Sequence, residues 1–348
     1  MAVYTTIDNP ELYFQTKLYT GTGSSNALTL DGDENMQPDF VWIKHRSGTN
    51  NHLATDAVRG SNKLLYPDLD NAEGTSTAHV TAFGSDGFTV ATDGVVNEDD
   101  ETYVAWCWKA GAGSGSSNTD GSINTTSTSV STAAGFSIST YTGTGSAATV
   151  GHGLGAVPEV VIVKKRNAAD SWWSYHKPLG NLGRLNLDTT NAVANAASYW
   201  NSTTPTSSVF SLLNNGYNNE SSSTYVAYCF APKQGFSKFG SYTGTGNADG
   251  PFIYTGFKPA FIMTKEHTNT SGWKIWDNKR NTFNVANETL DAESSNALST
   301  TYSCDFLSNG VKLLSSSSFV NQSGESYIFI AFAESPFVNS NGVPCNAR

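Results

Sequence analysis

Several side-chain groupings in this 348-residue chain have the types and spacings that chemistry uses, and each is weighed by what that chemistry would require. Asp31-Gly-Asp33-Glu-Asn35 has the 1,3,5 spacing with which a calcium loop begins. Met36 stands where such a loop needs glycine, and Trp42 stands where it needs a bidentate glutamate, so a solvated loop is expected. Glu98-Asp99-Asp100-Glu101 reads the same way. His152 lies between glycines ahead of Pro158, a turn context rather than a base poised beside a nucleophile. The Gly-Thr-Gly sequences lack the Lys-Ser/Thr ending of a phosphate loop and no helical pattern follows them. No Gly-x-Ser-x-Gly elbow occurs, so no nucleophile is assigned. Aromatic side chains remain as ligand candidates: Trp172, Trp173 and Tyr175, with Trp273 and Trp276 in the corresponding later stretch. Flat rings of this kind can stack on the C–H faces of sugars, and they equally fill cores.

The elements that must position these residues are written three times. Tyr-Thr-Gly-Thr-Gly occurs at 19–23, 141–145 and 242–246. Each copy is followed by a second landmark: Pro38-Asp-Phe-Val-Trp-Ile-Lys-His-Arg, Pro158-Glu-Val-Val-Ile-Val-Lys-Lys-Arg and Pro259-Ala-Phe-Ile-Met-Thr-Lys-Glu-His. A third closes each repeat: Tyr103-Val-Ala-Trp-Cys-Trp, Tyr225-Val-Ala-Tyr-Cys-Phe and Tyr327-Ile-Phe-Ile-Ala-Phe. The offsets between copies stay nearly constant, which marks an internal repeat. Short β-branched or aromatic runs alternate with turn residues such as Asp86-Gly87 and Asn215-Gly216, and no long helical period is present. The fold class expected is all-β: three tandem antiparallel β-sandwich domains of jelly-roll or immunoglobulin-like kind. The expected boundaries are an N-terminal anchoring arm at 1–14, repeats at 15–112, 135–233 and 234–336, a flexible Gly/Ser/Thr linker at 113–134, and a C-terminal tail at 337–348. The short joint between the second and third repeats implies that they pack together while the first swings more freely.

In the closing strands both alternating faces are apolar, Tyr103, Ala105 and Cys107 on one and Val104, Trp106 and Trp108 on the other. A sandwich strand ordinarily wets one face, so a loop, a neighbouring repeat or another subunit must cover the second.

Bulk composition narrows the function classes. Only 14% of residues are charged and the net charge is −10, which supplies no basic stripe for nucleic acid. No apolar run reaches the length that spans a bilayer, and the first ten residues do not form a secretory signal. Cys107 and Cys229 occupy equivalent strand interiors and read as buried small hydrophobes, the usage of a reducing compartment. No cofactor and no metal is expected, and no catalytic residue is assigned.

The opening stretch 5–23, Pro38-Asp-Phe-Val-Trp-Ile-Lys, the run from Tyr103 through Gly111, and Gly151-His-Gly-Leu-Gly resemble tail-fibre-like virion structural proteins of tailed, especially marine, bacteriophages. The resemblance implies a non-enzymatic virion-surface protein, a tail fibre or tail-associated adhesin contacting the host. Together with the triplication, the doubly apolar strands and the aromatic candidates, it leads to the expectation of other virion proteins as partners, a homo-oligomer, and a host surface glycan as ligand. A capsid decoration or head-fibre protein is the alternative, and a glycan-degrading enzyme is a third possibility.

Overall fold

A computed structural model of the chain describes residues 4–345; residues 1–3 of the expected arm and 346–348 of the expected tail lie outside the described residues. The protein is all-β, with 42% of its residues in strands and 5% helical. Its strands form three large antiparallel sheets, each accompanied by a small one.

In the first repeat the large sheet runs, in order, Phe14–Thr20, Thr102–Trp108, Phe40–His45, Leu53–Asp56, Gly60–Leu65, Gly74–Thr75. The small sheet is Asn26–Thr29, Gly87–Val90, Val80–Gly84. The second repeat sets the strands Phe136–Thr142, Thr224–Phe230, Val160–Lys165 and Trp173–His176 in the same order, beside the small pair Ala148–Gly151 and Val209–Leu212. The third does so with Ser237–Thr243, Ser326–Pro336, Phe257–Glu266 and Trp273–Asp277. In all three the closing strand lies between the opening strand and the strand of the second landmark. A strand so flanked, with sheet on either side and apolar residues above and below, is buried along its whole length, as Tyr103 through Trp108 are.

The repeated Tyr-Thr-Gly-Thr-Gly is explained by the backbone it must admit. Its tyrosine pairs with the tyrosine that opens the closing strand, and the rings stack: Tyr19 on Tyr103, Tyr141 on Tyr225, Tyr242 on Tyr327, with centroids 5.1, 5.1 and 4.8 Å apart. The turn then folds over a buried asparagine, Asn97, Asn219 or Asn321. Its side-chain carbonyl accepts the N–H of Thr22, Thr144 or Thr245, at 2.9, 2.9 and 2.6 Å. A Cβ on Gly21 would stand 2.0 Å from the Glu98 carbonyl, and Gly23 sits at φ +62°, so both positions require glycine.

The two faces of each large sheet have different partners. Tyr103, Ala105 and Cys107 pack toward the small sheet in a core of the first repeat alone, and Tyr225, Ala227 and Cys229 do so in the second. Val104, Trp106 and Trp108 instead join Val226, Tyr228 and Phe230 and Ile328, Ile330 and Phe332 in one central core shared by all three repeats. The cover required by the second apolar face is therefore the sister repeats of the same chain. Phe332 is the hub. Its ring lies 5.2 Å from Phe14 and 5.6 Å from Trp108 of the first repeat, 5.8 Å from Phe230 of the second, and 6.2 Å from Phe261 of its own.

Two expectations are corrected here. Segment 113–134 is not a flexible linker: Ser127–Ser131 is a strand of the second large sheet, Ser116 and Thr128 exchange backbone bonds, and Ile123 N–H donates to the Thr149 carbonyl. Its start is held by the Asp39 carboxylate, which accepts the N–H groups of Ala110, Ala112 and Gly113 at 2.8–2.9 Å. Low apolar content did not mean disorder, because Thr125, Thr128 and Ser139 satisfy one another inside the fold. Nor is the first repeat free to swing, since its second face is the central core. Residues 4–14 likewise fold back: Ile7 is buried, the Tyr4 hydroxyl donates to the Gly256 carbonyl, and Asp8 accepts the Ser340 N–H at 2.6 Å.

Truncating the hub should be felt by the whole chain. Phe332→Ala should lower the unfolding free energy by about 3–5 kcal/mol, the cost of deleting a fully packed phenylalanine. Urea denaturation followed by fluorescence and by circular dichroism should show one coincident, shifted transition. A shift confined to one probe would contradict a shared core.

Candidate functional site

The predicted aromatic residues are brought to two places, and neither is an open sugar platform. All five are buried, none more than 2% exposed. Trp172 and Trp273 occupy one structural position in successive repeats and lie in the seams between repeats: the indole N–H of Trp172 donates to the Tyr66 carbonyl at 2.8 Å, and that of Trp273 to the Asn186 carbonyl at 3.0 Å. His52 takes this position in the first repeat and bonds the Asp291 carbonyl at 2.9 Å. Tyr175 and Trp276 face the interiors of their own repeats, Tyr175 against Trp200 and Trp276 donating to the Tyr302 carbonyl. The reading of these four as exposed glycan contacts is corrected. Period-two alternation places them on two apolar faces, and both faces are covered. Trp173 alone lines an opening.

The seams also hold ionisable groups that sequence reasoning missed. Lys44, Lys164 and Lys265 lie in the second landmark at the same offset. Each donates to a carbonyl of the preceding repeat around a ring: Lys44 to Ser295 at 3.0 Å, Lys164 to Asp70 at 3.0 Å, Lys265 to Thr190 at 3.3 Å. Backbone bonds repeat the pattern, from Leu298 N–H to the Arg46 carbonyl, Glu73 to Arg166 and Val193 to His267, at 2.9, 2.7 and 2.8 Å. Burial pulls all three lysines down to about 8. Burial also pushes Asp68 up to about 6 and Glu293 to about 7; these carboxylates accept the backbone N–H of His52 and Trp273. Groups so perturbed often mark active sites. Here they recur at three equivalent seams and are spent on carbonyls and backbone N–H groups, which makes them structural. Their signal in the sequence was the lysine shared by all three second landmarks.

Two buried ion pairs complete the ring. Asp56 binds the Arg59 Nε at 2.5 Å and accepts the Tyr228 hydroxyl at 2.7 Å; Asp277 binds the Arg280 Nε at 2.6 Å and accepts the Trp106 indole at 3.0 Å. The corresponding residue of the second repeat is His176, whose Nε2–H donates to the Phe329 carbonyl at 3.0 Å. Among the described residues no group of three or more His, Cys, Asp or Glu side chains could hold a metal ion. The cysteines are free, with Cys107, Cys229 and Cys304 buried and Cys345 exposed.

The opening beside Trp173 is a recess of about 150 Å³ lined by Asp170, Ser171, Trp173, Arg184, Asn186, Tyr199 and Tyr217. Trp173 and Arg184 come from adjacent strands, and the short helix Ala197–Trp200 and the loop before Asn218 bring in the tyrosines. Tyr217 stacks on Trp173 at 4.4 Å and is half exposed, while Tyr199 meets Trp173 edge-on at 5.1 Å. The Arg184 guanidinium lies 4.0 Å over Trp173 and 4.8 Å over Tyr199, a cation held by ring faces. A second opening, about 830 Å³, lies on the third repeat beside Phe283, the most exposed large apolar side chain among the described residues, and Asn278, Asn281 and Asn309 line it.

Residues 9–336 match the family described as "Domain of unknown function (DUF7483)", and the chain belongs to that family. No curated protein matches the chain.

The seam histidines carry a pH signature with a definite sign. Burial holds His176 down to about 4, so between its ordinary value near 6.5 and 4 the unfolded chain binds the proton that the folded chain refuses. That stability is present above pH 6.5 and is withdrawn as pH falls toward 4. Between pH 6.5 and 4.5 the wild type should therefore lose on the order of 2 kcal/mol more than His176→Gln. Parallel stability–pH curves from urea titrations would contradict the assignment.

Proposed function

We propose that this member of the family is a non-enzymatic structural protein on the surface of a bacteriophage particle, a tail fibre or tail-associated adhesin that meets the host surface. In this reading the chain is three tandem β-sandwich units closed into one body. Its partners are other virion proteins and further copies of itself, and its ligand is a surface glycan. Neither nucleic acid nor a membrane interior is a partner.

One observation carries the proposal beyond the resemblance in sequence. Opening and closing strands pair antiparallel in full register in every repeat, Phe14 with Trp108 and Thr20 with Thr102 in the first, so the chain enters and leaves each large sheet at the same end. The segments before the first repeat and after the third meet at that end, where Asp8 holds Ser340. The three Thr-Gly-Thr-Gly turns lie at the opposite end. A body with its flanking segments at one end and three copies of one loop at the other suits attachment by the first and display by the second. Copies presented together gain avidity over a repetitive surface without new contacts. The most strongly perturbed lysines and acids are engaged in the seams, which supports a structural rather than a catalytic use of them.

Ring closure of three repeats within one chain also favours a second reading, a capsid decoration or head fibre seated at a threefold position. Purified particles of the encoding phage should contain the protein by mass spectrometry. Gold-labelled antibody should mark tails, whereas marking of heads would move the assignment to the second reading. Absence from purified particles would overturn both.

A further inference from the structure

The recess beside Trp173 has a counterpart at the same place in each repeat, and the three differ in one informative respect: how charge is balanced. In the first repeat Leu53, Leu64, Tyr66 and Val95 stand at the positions of Trp173, Arg184, Asn186 and Tyr217, none of them a lysine or arginine. In the third, Lys274 lies 4.8 Å over Tyr302 and 4.9 Å over Phe319, and its ammonium is answered by Asp291 at 2.5 Å. In the second the cation is Arg184, against the rings of Trp173 and Tyr199, with Tyr217 stacked on Trp173. Strand register puts Asn186 opposite Trp173 where Asp291 stands opposite Lys274. The built-in carboxylate has become an amide.

Arg184 consequently has no carboxylate within salt-bridge distance among the described residues. Its one side-chain partner is the Asn186 carbonyl oxygen, and its buried Nε has no partner. Asp170 lines the same recess, but its carboxylate accepts the Ser171 N–H and the Trp173 indole, and Lys164 and Lys165 act on its charge. A guanidinium with free donors, held on two ring faces and lacking a counter-ion, is a receptor for an oxyanion. The fork geometry of arginine suits carboxylate and sulfate alike.

We infer that this recess binds the anionic group of an acidic sugar, the carboxylate of a uronic acid or the sulfate of a sulfated sugar, with the ring of that sugar resting on Tyr217. Volume and lining favour a single sugar residue at a chain end. About 150 Å³ is below the range of drug-sized ligand sites, and an exposed tyrosine face beside an amide and a hydroxyl offers both an apolar plane and hydrogen bonds. The inference deepens the adhesive reading and rests on it only for where the sugar comes from.

Isothermal titration of the full chain with methyl glucuronide, galactose 6-sulfate, methyl glucoside and a tetraglutamate peptide tests it. Saturable binding of the glucuronide or the sulfated sugar, and not of the neutral glucoside, is expected, and the two acidic arms show which oxyanion is preferred. Arg184→Gln should weaken that binding by about tenfold or more. Asn186→Asp, which restores the internal counter-ion of the third repeat, should do the same while melting no lower than the wild type. Binding that survives both substitutions, equal binding of the glucoside, tighter binding of tetraglutamate, or no binding of either acidic sugar would each overturn the inference. Absence of the protein from phage particles would sink the proposed function and leave sugar binding by the isolated chain untouched, so the two failures are distinguishable.

Discussion

Each large sheet of this protein is apolar on both faces, and such a sheet cannot rest with one face in water. The small sheet covers the inner face, and only two more surfaces of the same kind can cover the other. That requirement ties the repeats together more firmly than any single bond. It gathers Phe14, Phe230, Phe261 and Trp108 around Phe332, and each such aromatic contact adds roughly 0.5–1.5 kcal/mol to the area it buries. Triplication here is a means of finishing a core. Among the described residues it leaves neither apolar face of a closing strand waiting for a partner.

Closing a ring of sheets brings backbone and charge into the seams, where every polar group needs a partner. Lysines at 44, 164 and 265 meet that need by donating to carbonyls of the adjoining repeat, and carboxylates at 68, 188 and 293 by accepting backbone N–H groups. The repeats follow one plan without sharing residues throughout: His52 stands for Trp172, and His176 for Asp56. The surface recesses vary in the same way, and the change from Asp291 to Asn186 is one such difference.

Much of this was legible in the sequence. The repeat, the all-strand character and the doubly apolar closing strand followed from spacing and alternation, and the tyrosine and glycines of the first landmark proved to be a turn rather than a phosphate loop. Reading Trp172 and Trp273 as ligand contacts failed because alternation tells which residues share a face, not what lies over that face. Segment 113–134 read as linker because composition cannot show that its threonines and serines satisfy one another. The asparagines buried under the turns, Asn97, Asn219 and Asn321, were visible only in hindsight, each six residues before the closing tyrosine. The recess was half legible: Trp173 was singled out, while Arg184 and Tyr217 reach it through pairing and a loop that no local pattern reveals.

The central claim is that three repeats make a single cooperative unit through one shared core. Scanning calorimetry of the intact chain tests it most directly, by comparing the heat absorbed with the enthalpy implied by the steepness of the transition. A single peak with the two enthalpies in a ratio of about 1 is the predicted result. A ratio near 3, or separate peaks for separate repeats, would mean that each repeat stands alone and that the account of the core is wrong.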